Sequence, residues 1–269
     1  MKKLLFIGTG GTIASELEGG ALSPMLNAEQ LLRHVPAVSK ICDVDAVQLF
    51  TLDSTNIMPE HWMRIADEII AHYDRYDGFV IAHGTDTMAY TAAALSYLIQ
   101  NNRKPIVITG AQKPIGFEST DSKQNLTDSF LCAASDLSGV LVVFGGQVLL
   151  GSRARKTRSK SFSAFSSPNY PPLATVQNGR IALYFNPTAG EERFYHQLDP
   201  AVGLLKLTPG TDTELLRFML ERYHALVIES FGVGGLTDHG GSFQREVARA
   251  VENGKLVALT TQVQSEGTD

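Results

Sequence analysis

Short apolar runs that end in glycine or in a hydroxyl residue alternate with amphipathic stretches through about the first 150 residues of this 269-residue chain. Lys3–Ile7 and Gly78–Ala82 have the length and composition of buried strands. Between them, Pro59 opens a stretch whose apolar side chains recur at helical spacing, at positions 62, 65, 66, 69, 70 and 73. Because strands and helices that alternate in this way form βαβ units, the pattern predicts a parallel sheet with helices on both faces.

The pattern divides the chain into a larger and a smaller α/β domain. Further strands of the larger domain are predicted at Val47–Leu52, Ile106–Thr109, Gly139–Phe144 and Val148–Gly151, and further helices at Met88–Gln100 and Asn125–Ser135. After Phe165 the chain becomes rich in Pro, Asn and Ser, and the alternation resumes at Leu204. We therefore predict a catalytic domain over 1–190, a linker over 191–203 and a second α/β domain over 204–269. Because the chain stops soon after a strand, we expect this second domain to be incomplete.

Charge and composition exclude several classes of protein. The formal net charge is -5, whereas binding to nucleic acid needs a concentrated basic face. The first apolar run breaks at Gly8, before it reaches the length of a signal-peptide core, and no run approaches the roughly 20 residues of a membrane span. Cys42 and Cys132 are too few and too far apart for a disulfide framework or a metal site. We expect a cytoplasmic protein that uses no metal or cofactor and binds neither nucleic acid nor a membrane.

Polar and glycine residues collect directly after four of the predicted strands. They are Thr9–Thr12, Asp53–Thr55, His83–Thr87 and Thr109–Gln112. In open parallel sheets, ligands bind beyond the carboxyl ends of the strands. One polar strand end is common, but four together predict a binding site.

The segment Gly8–Ala14 by itself allows more than one interpretation. It fits a tight turn with no further role, and its glycines would also let backbone amides approach a phosphate. However, Ile13 stands where a dinucleotide-binding fingerprint needs its third small residue, and the Gly-Lys-Ser/Thr of a phosphate loop is missing. Thr85 and Asp86 are similarly ambiguous, since both residue types favour helix N-caps. The joint occurrence of Thr12, Ser54, Thr85 and Asp86 is harder to explain as four caps.

Two of these motifs carry a resemblance to a known family. Thr9-Gly10-Gly11-Thr12-Ile13-Ala14 together with His83-Gly84-Thr85-Asp86-Thr87-Met88 resembles the bacterial-type L-asparaginases, particularly their cytoplasmic (type I) branch. The resemblance extends over essentially the whole chain and includes Leu52–Thr55, Thr109–Ala111, Asn125-Leu126 and Ser163–Phe165.

The resemblance implies a role for each matching residue. Thr12 corresponds to the family nucleophile, and Thr85, Asp86 and Lys156 correspond to its second catalytic group. Ser54 matches the residue that binds the substrate α-carboxylate, with Asp53 and Thr55 beside it, and Asp86 would also face the α-ammonium. Gly84 and Ala111 would line the substrate pocket. The implied reaction forms a β-aspartyl ester on Thr12, which water then hydrolyses. The resemblance also implies assembly into a dimer or tetramer, in which the small domain helps to complete the site of the neighbouring subunit.

One departure from the family concerns the segment after the first motif. Many members carry a tyrosine there that closes over the substrate, whereas Glu16–Leu26 contains none. Gly19 and Gly20 still suit a flexible lid.

Two other functions remain open from the sequence. The first is hydrolysis of a related amide, either glutamine or the amide on a misacylated tRNA. One component of the archaeal tRNA-dependent amidotransferase shares this core but carries an added N-terminal domain, which we do not expect here because the first strand begins at residue 3. The second is a catalytically silent protein that binds an amino acid.

Overall fold

A computed structural model of the chain describes residues 1–18, 21–24, 26–187, 190–238 and 240–268, without side-chain surroundings for 16–18 and 21–24. Two compact units divide the chain, Met1–Leu198 and Asp199–Asp269. The linker predicted over 191–203 stays a prediction. Residues 191–198 belong to the first unit, where a short strand at Arg193–Phe194 pairs with Ile99–Gln100.

The first unit is built from strands and helices that alternate along the chain. Its strands are β1 (Lys3–Gly10), β2 (Ser15–Glu18), β3 (Ala21–Pro24), β4 (Asp43–Leu52), β5 (Gly78–Ala82), β6 (Ile99–Gln100), β7 (Pro105–Thr109), β8 (Gly139–Phe144), β9 (Gln147–Leu150), β10 (Arg155–Lys156), β11 (Phe165–Ser166), β12 (Ala174–Gln177), β13 (Arg180–Leu183) and β14 (Arg193–Phe194). Its α-helices are α1 (Ala28–Arg33), α2 (Pro59–Ala71), α3 (Met88–Leu98) and α4 (Ser122–Ala133).

Among the described residues, eight strands form one sheet in the order β13-β12-β9-β8-β7-β5-β1-β4. β4, β1, β5, β7 and β8 run parallel, which confirms the predicted parallel sheet. β9, β12 and β13 extend it with antiparallel pairings. The central strands β5 and β7 are buried along their whole length, as expected of a sheet that is covered on both faces.

Two hydrophobic clusters lie on opposite faces of this sheet. Alternate residues of β1 show the division, since Leu4 and Phe6 belong to one cluster while Leu5 and Ile7 belong to the other. α1 and α4 contribute to the first cluster, and α2 and α3 to the second. The prediction of helices on both faces is therefore confirmed.

The structure differs from the predicted elements at several boundaries. α3 ends at Leu98 instead of Gln100, because Ile99 and Gln100 pair with β14. α4 begins at Ser122, three residues before the predicted start. The segment after Phe165 was expected to be irregular, but it contributes the hairpin β12–β13 to the sheet.

The described part of the second unit is a smaller α/β layer structure. Its elements are β15 (Val202–Lys206), α5 (Thr213–Arg222), β16 (Ala225–Ser230), α6 (Ser242–Glu252) and β17 (Leu256–Thr261). The strands form a parallel sheet in the order β15-β16-β17. Its core includes Leu207, Leu216 and Phe243. This arrangement confirms a second, smaller α/β domain.

A buried carboxyl on α4 is incompletely satisfied. Asp128 is 1% exposed; Gln124 Nε2 donates to its Oδ1 at 2.7 Å, while Oδ2 has no partner among the described residues. Burial raises the pKa of Asp128 to about 6, although the bond from Gln124 acts in the opposite direction. The folded protein therefore retains a proton that the unfolded chain has lost at pH values between about 4 and 6, so ionisation of Asp128 destabilises the fold as the pH rises.

Replacing Asp128 with Asn should consequently improve stability more at high pH than at low pH. We expect the free energy of unfolding of Asp128→Asn, relative to wild type, to increase by about 2 kcal/mol between pH 4 and pH 8. Urea denaturation at the two pH values measures the difference. The exposed Asp74 offers the matched control Asp74→Asn. An equal effect of Asp128→Asn at both pH values would contradict the assignment.

Candidate active site

The turn after β1 needs two glycines because backbone from other strand ends lies directly against it. Gly10 and Gly11 have φ values of +101° and +80°. A Cβ on Gly10 would lie 2.5 Å from the backbone of Leu52, and a Cβ on Gly11 would lie 2.3 Å from the backbone nitrogen of Gly84. This close approach explains the glycines of the first motif without a bound phosphate.

The same kind of packing joins the other strand ends. A Cβ on Gly84 would lie 2.6 Å from Ser54 Oγ, and a Cβ on Gly110 would lie 2.2 Å from the carbonyl oxygen of His83. The four strand ends that the sequence singled out are therefore in mutual contact at the carboxyl edge of the parallel strands.

Thr12 begins a 3₁₀ turn that follows Gly11 and ends at Ala14. Its side chain is half-buried, whereas the neighbouring Ile13 is completely buried and anchors the turn in the core. Leu26 N–H donates to the Ala14 carbonyl at 2.9 Å, which closes the base of the hairpin β2–β3. Gly19 and Gly20, which we expected to lend flexibility to a lid, lie outside the described residues.

Lys156 connects the two polar residues of the second motif. Its Nζ donates to Thr85 Oγ1 at 2.8 Å and to Asp86 Oδ1 at 2.7 Å. Thr85 is 5% exposed, while the Lys156 side chain is 18% exposed and the Asp86 side chain 59%. A partly desolvated ammonium between a hydroxyl and an exposed carboxylate is an arrangement suited to proton exchange.

Lys156 reaches this position because it lies on β10 of a short hairpin. Lys156 pairs with Phe165 on β11, and the buried Phe165 packs on Phe144 with ring centroids 5.0 Å apart. The neighbouring cation Arg153 stacks on Tyr170, with its guanidinium carbon 5.5 Å from the ring centre. One cation of the basic stretch thus enters the site, while another packs on a ring outside it.

Ser54 and its two neighbours face different surroundings. Ser54 is 3% exposed, and its carbonyl accepts a hydrogen bond from Thr87 Oγ1 at 2.7 Å. Asp53 and Thr55 are exposed and bonded to each other, since Asp53 Oδ1 accepts from Thr55 N–H at 2.8 Å and from its hydroxyl at 2.7 Å. Asp53 therefore caps the turn that presents Ser54.

Ala111 and Gln112 follow β7. Ala111 is completely buried and belongs to the same core cluster as Ile13 and Ile115, so its contact with a substrate stays a prediction. Nothing in the sequence pattern assigns Gln112 a role beyond its place at a strand end. Its side chain lies at a hydrogen-bond distance from Thr85, which makes it part of the site.

A buried hydrogen-bond chain supports the second motif from behind. His83 Nδ1 lies 2.7 Å from the Gly84 carbonyl, which can only accept, so Nδ1 carries the proton. His83 Nε2 then accepts from Thr91 Oγ1 at 2.8 Å, and Trp62 Nε1 donates to that hydroxyl at 3.0 Å. Burial lowers the pKa of His83 to about 4, which keeps the ring neutral at physiological pH. His83 thus fixes the turn that carries Thr85 and takes no charge itself.

Within the part of the chain that the structure describes, no three His, Cys, Asp or Glu side chains lie close enough together to hold a metal ion. No helix of the same residues could cross a membrane. Both cysteines are buried free thiols, and burial raises the pKa of Cys42 to about 11 and that of Cys132 to about 12.

The contact between the first and second motifs should tolerate no side chain at Gly11. Gly11→Ala places a Cβ against the Gly84 backbone and requires a positive φ, and we expect it to reduce the free energy of unfolding by about 3 kcal/mol. Gly116→Ala is the matched control, since a Cβ there would have no heavy atom within 4 Å. Thermal denaturation compares the two variants. Equal melting temperatures would contradict the packing described here.

Two family models together match nearly the whole chain. The model of the N-terminal asparaginase domain matches residues 3–189, and the glutaminase/asparaginase C-terminal domain matches residues 201–269. L-asparaginase of Thermococcus kodakarensis is 36% identical, over 99% of this chain and 82% of that protein. Its solved structure superposes with a TM-score of 0.91 over the same shares of the two chains.

Two further proteins show how widely this fold is shared. A glutamyl-tRNA(Gln) amidotransferase polypeptide of Pyrococcus abyssi is 35% identical over 97% of this chain, which spans 63% of that polypeptide. A solved structure described as a probable cytoplasmic L-asparaginase from Campylobacter jejuni is 26% identical, with a TM-score of 0.85 over 98% of this chain and 84% of that one. The contacting strand ends, the Thr85–Lys156–Asp86 cluster and the two matched domains lead to one conclusion: the chain belongs to the asparaginase family.

Proposed function

We propose that this protein hydrolyses L-asparagine to L-aspartate and ammonia, with Thr12 as the nucleophile. The observation that carries the proposal is the Thr85–Lys156–Asp86 cluster, held against the turn of Thr12 through the contact between Gly84 and Gly11. The likeness to the T. kodakarensis L-asparaginase supports asparagine as the substrate.

Asparagine binding would use the exposed and buried ends of the same edge. Asp86 Oδ1 accepts from Lys156, which leaves Oδ2 to accept a hydrogen bond from the substrate ammonium. Ser54, beside Gly84, would bind the α-carboxylate, and Asp53 and Thr55 would support it through their mutual bonds. These contacts would direct the substrate side chain towards Thr12. Ala111 and Gly84 would border the amide.

The first half of the reaction would replace the amide with an ester. Thr12 Oγ1 attacks the side-chain carbonyl carbon, the C–N bond breaks, and the departing nitrogen leaves as ammonia with the proton that Thr12 gives up. A hydroxyl is a weak nucleophile, so this transfer needs proton-exchanging groups close by. Thr85, Lys156 and Asp86 supply them.

The second half would release aspartate and restore the enzyme. Water attacks the β-aspartyl ester, the bond between the acyl carbon and Thr12 Oγ1 breaks, and a proton of the water restores the Thr12 hydroxyl through the Thr85–Lys156–Asp86 cluster. We propose that no metal or cofactor takes part in either step. The products are one aspartate and one ammonia for each water consumed.

The assembly and location of the protein belong to the same proposal. We propose a homo-oligomer, dimer or tetramer, in the cytoplasm. Support comes from the cytoplasmic description of the C. jejuni protein and from the free, buried state of both cysteines, which fits a reducing compartment.

Hydrolysis of another amide is the second candidate. It is favoured by the P. abyssi amidotransferase polypeptide, whose identity to this chain is nearly equal to that of the T. kodakarensis asparaginase. Ammonia release from L-asparagine and from L-glutamine, measured side by side, separates the two activities. A higher kcat/KM for glutamine would replace asparagine as the proposed substrate.

Removing the Thr12 hydroxyl should abolish turnover and leave binding intact. We expect Thr12→Ala to lower kcat for L-asparagine by about a thousandfold or more, because the ester can no longer form. A coupled ammonia assay measures turnover, and isothermal calorimetry measures binding of asparagine. Thr127→Ala, which removes an exposed hydroxyl that donates to the Lys123 carbonyl within α4, is the matched control.

The outcome also decides between an enzyme and a silent binding protein. A wild-type protein that binds asparagine and releases no ammonia would contradict the proposed hydrolysis. A Thr12→Ala variant with undiminished turnover would remove Thr12 from the mechanism.

A further inference from the structure

Gln112 joins the Thr85 hydroxyl to the loop that follows Lys156. Its Oε1 lies 3.3 Å from Thr85 Oγ1, and its Nε2 lies 3.0 Å from the Ser159 carbonyl and 3.2 Å from the Ser161 carbonyl. One amide side chain therefore contacts both the strand end of β5 and the loop over 157–164 that connects β10 with β11.

The two carbonyls determine which way the amide faces. Only the NH₂ group of Gln112 can donate to two carbonyl oxygens, so Oε1 must face Thr85. Because Oε1 can only accept, the Thr85 hydroxyl donates its proton to Gln112. Lys156 Nζ donates to the same Thr85 oxygen at 2.8 Å. The hydroxyl is thereby oriented with its proton towards Gln112 and its lone pairs towards Lys156 and the open side of the site.

The backbone of Gln112 is fixed independently of its side chain. Its N–H donates to both carboxylate oxygens of Asp121, at 3.1 and 3.0 Å, and the following N–H of Lys113 donates to the same group. Asn125 Nδ2 donates to the Gly110 carbonyl at 3.0 Å and to Asp121 at 3.1 Å. Gln112 therefore extends from a rigid base, as a residue that orients others must.

The loop over 157–164 is otherwise attached mainly near its ends. Residues 157–163 are exposed, although Thr157 N–H donates to the Ala164 carbonyl at 2.8 Å and the Phe162 carbonyl packs against Gly145. The Lys113 ammonium lies 5.7 Å from the centre of the Phe162 ring. The two bonds from Gln112 thus hold the middle of a loop whose ends are fixed by the hairpin.

We propose that Gln112 is a positioning residue, which sets the direction of the Thr85 hydroxyl and ties it to the loop beside Lys156. The inference rests on the proposed function for its effect on catalysis. Its structural half, the tie between Gln112 and the loop, can be tested without any activity.

The catalytic half predicts an unusual pH dependence for Gln112→Glu. A protonated carboxyl can accept from Thr85 and donate to one loop carbonyl, whereas an ionised carboxylate can donate to neither. We expect the ratio of kcat between Gln112→Glu and wild type to fall about tenfold as the pH rises from 5 to 8, with KM changing by about twofold or less. Gln112→Met should have a low kcat ratio at both pH values. A flat ratio for Gln112→Glu, or a Gln112→Met variant within twofold of wild type, would overturn the assignment.

The structural half predicts a loop that is easier to cleave. Arg158 and Lys160 lie in the loop and are exposed, so trypsin can cut after either of them once the loop is released. We expect cleavage there to be at least about fivefold faster in Gln112→Met than in wild type, with an unchanged far-ultraviolet circular dichroism spectrum. Gln177→Met, which alters an exposed residue of β12, is the matched control.

The two readouts separate failure of this inference from failure of the proposed function. Wild-type protein without ammonia release but with faster cleavage of Gln112→Met would overturn asparagine hydrolysis and support the tie. Active wild type with unchanged cleavage of Gln112→Met would retain the hydrolysis and overturn the role of Gln112.

Discussion

Backbone packed against backbone at the carboxyl edge of the sheet is the constraint on which the site depends. Gly11 and Gly84 approach so closely that a single methyl group on either would collide with its neighbour. This contact lets the turns after β1 and β5 share one surface, and Gly110 brings the turn after β7 to the same place. Glycine loses more conformational freedom on folding than any other residue, so its use at these positions reflects a geometric need.

The groups proposed for catalysis come from elements of different rigidity. Thr12 follows a central strand, and Thr85 stands on a turn that the neutral His83 supports through Thr91 and Trp62. Lys156 instead comes from a short hairpin, whose loop depends on Gln112 for its central attachment. The weakest support therefore lies beside the residue that connects Thr85 with Asp86. Sites of this kind lose rate through small displacements before they lose stability.

Much of the architecture follows from the sequence, because strand length, apolar content and strand-end polarity are local properties. Thr85 and Ser54 could be placed at one edge from the parallel arrangement alone. The approach of Lys156 could not, since it depends on a hairpin formed with Phe165, a long-range pairing that required the family resemblance. The strands β12 and β13 were missed because their Pro- and Asn-rich flanks resemble irregular chain. Gln112 was missed because a strand-end glutamine says nothing about its partners until the loop over 157–164 is folded onto it.

Trapping of the ester with hydroxylamine tests the proposed covalent step most directly. Hydroxylamine added during turnover of L-asparagine should compete with water for the acyl group, so that β-aspartyl hydroxamate replaces aspartate while ammonia release continues. The Thr12→Ala variant should form neither product. Ammonia release from wild type with no hydroxamate at any hydroxylamine concentration, or hydroxamate formation by Thr12→Ala at the wild-type rate, would contradict an ester on Thr12.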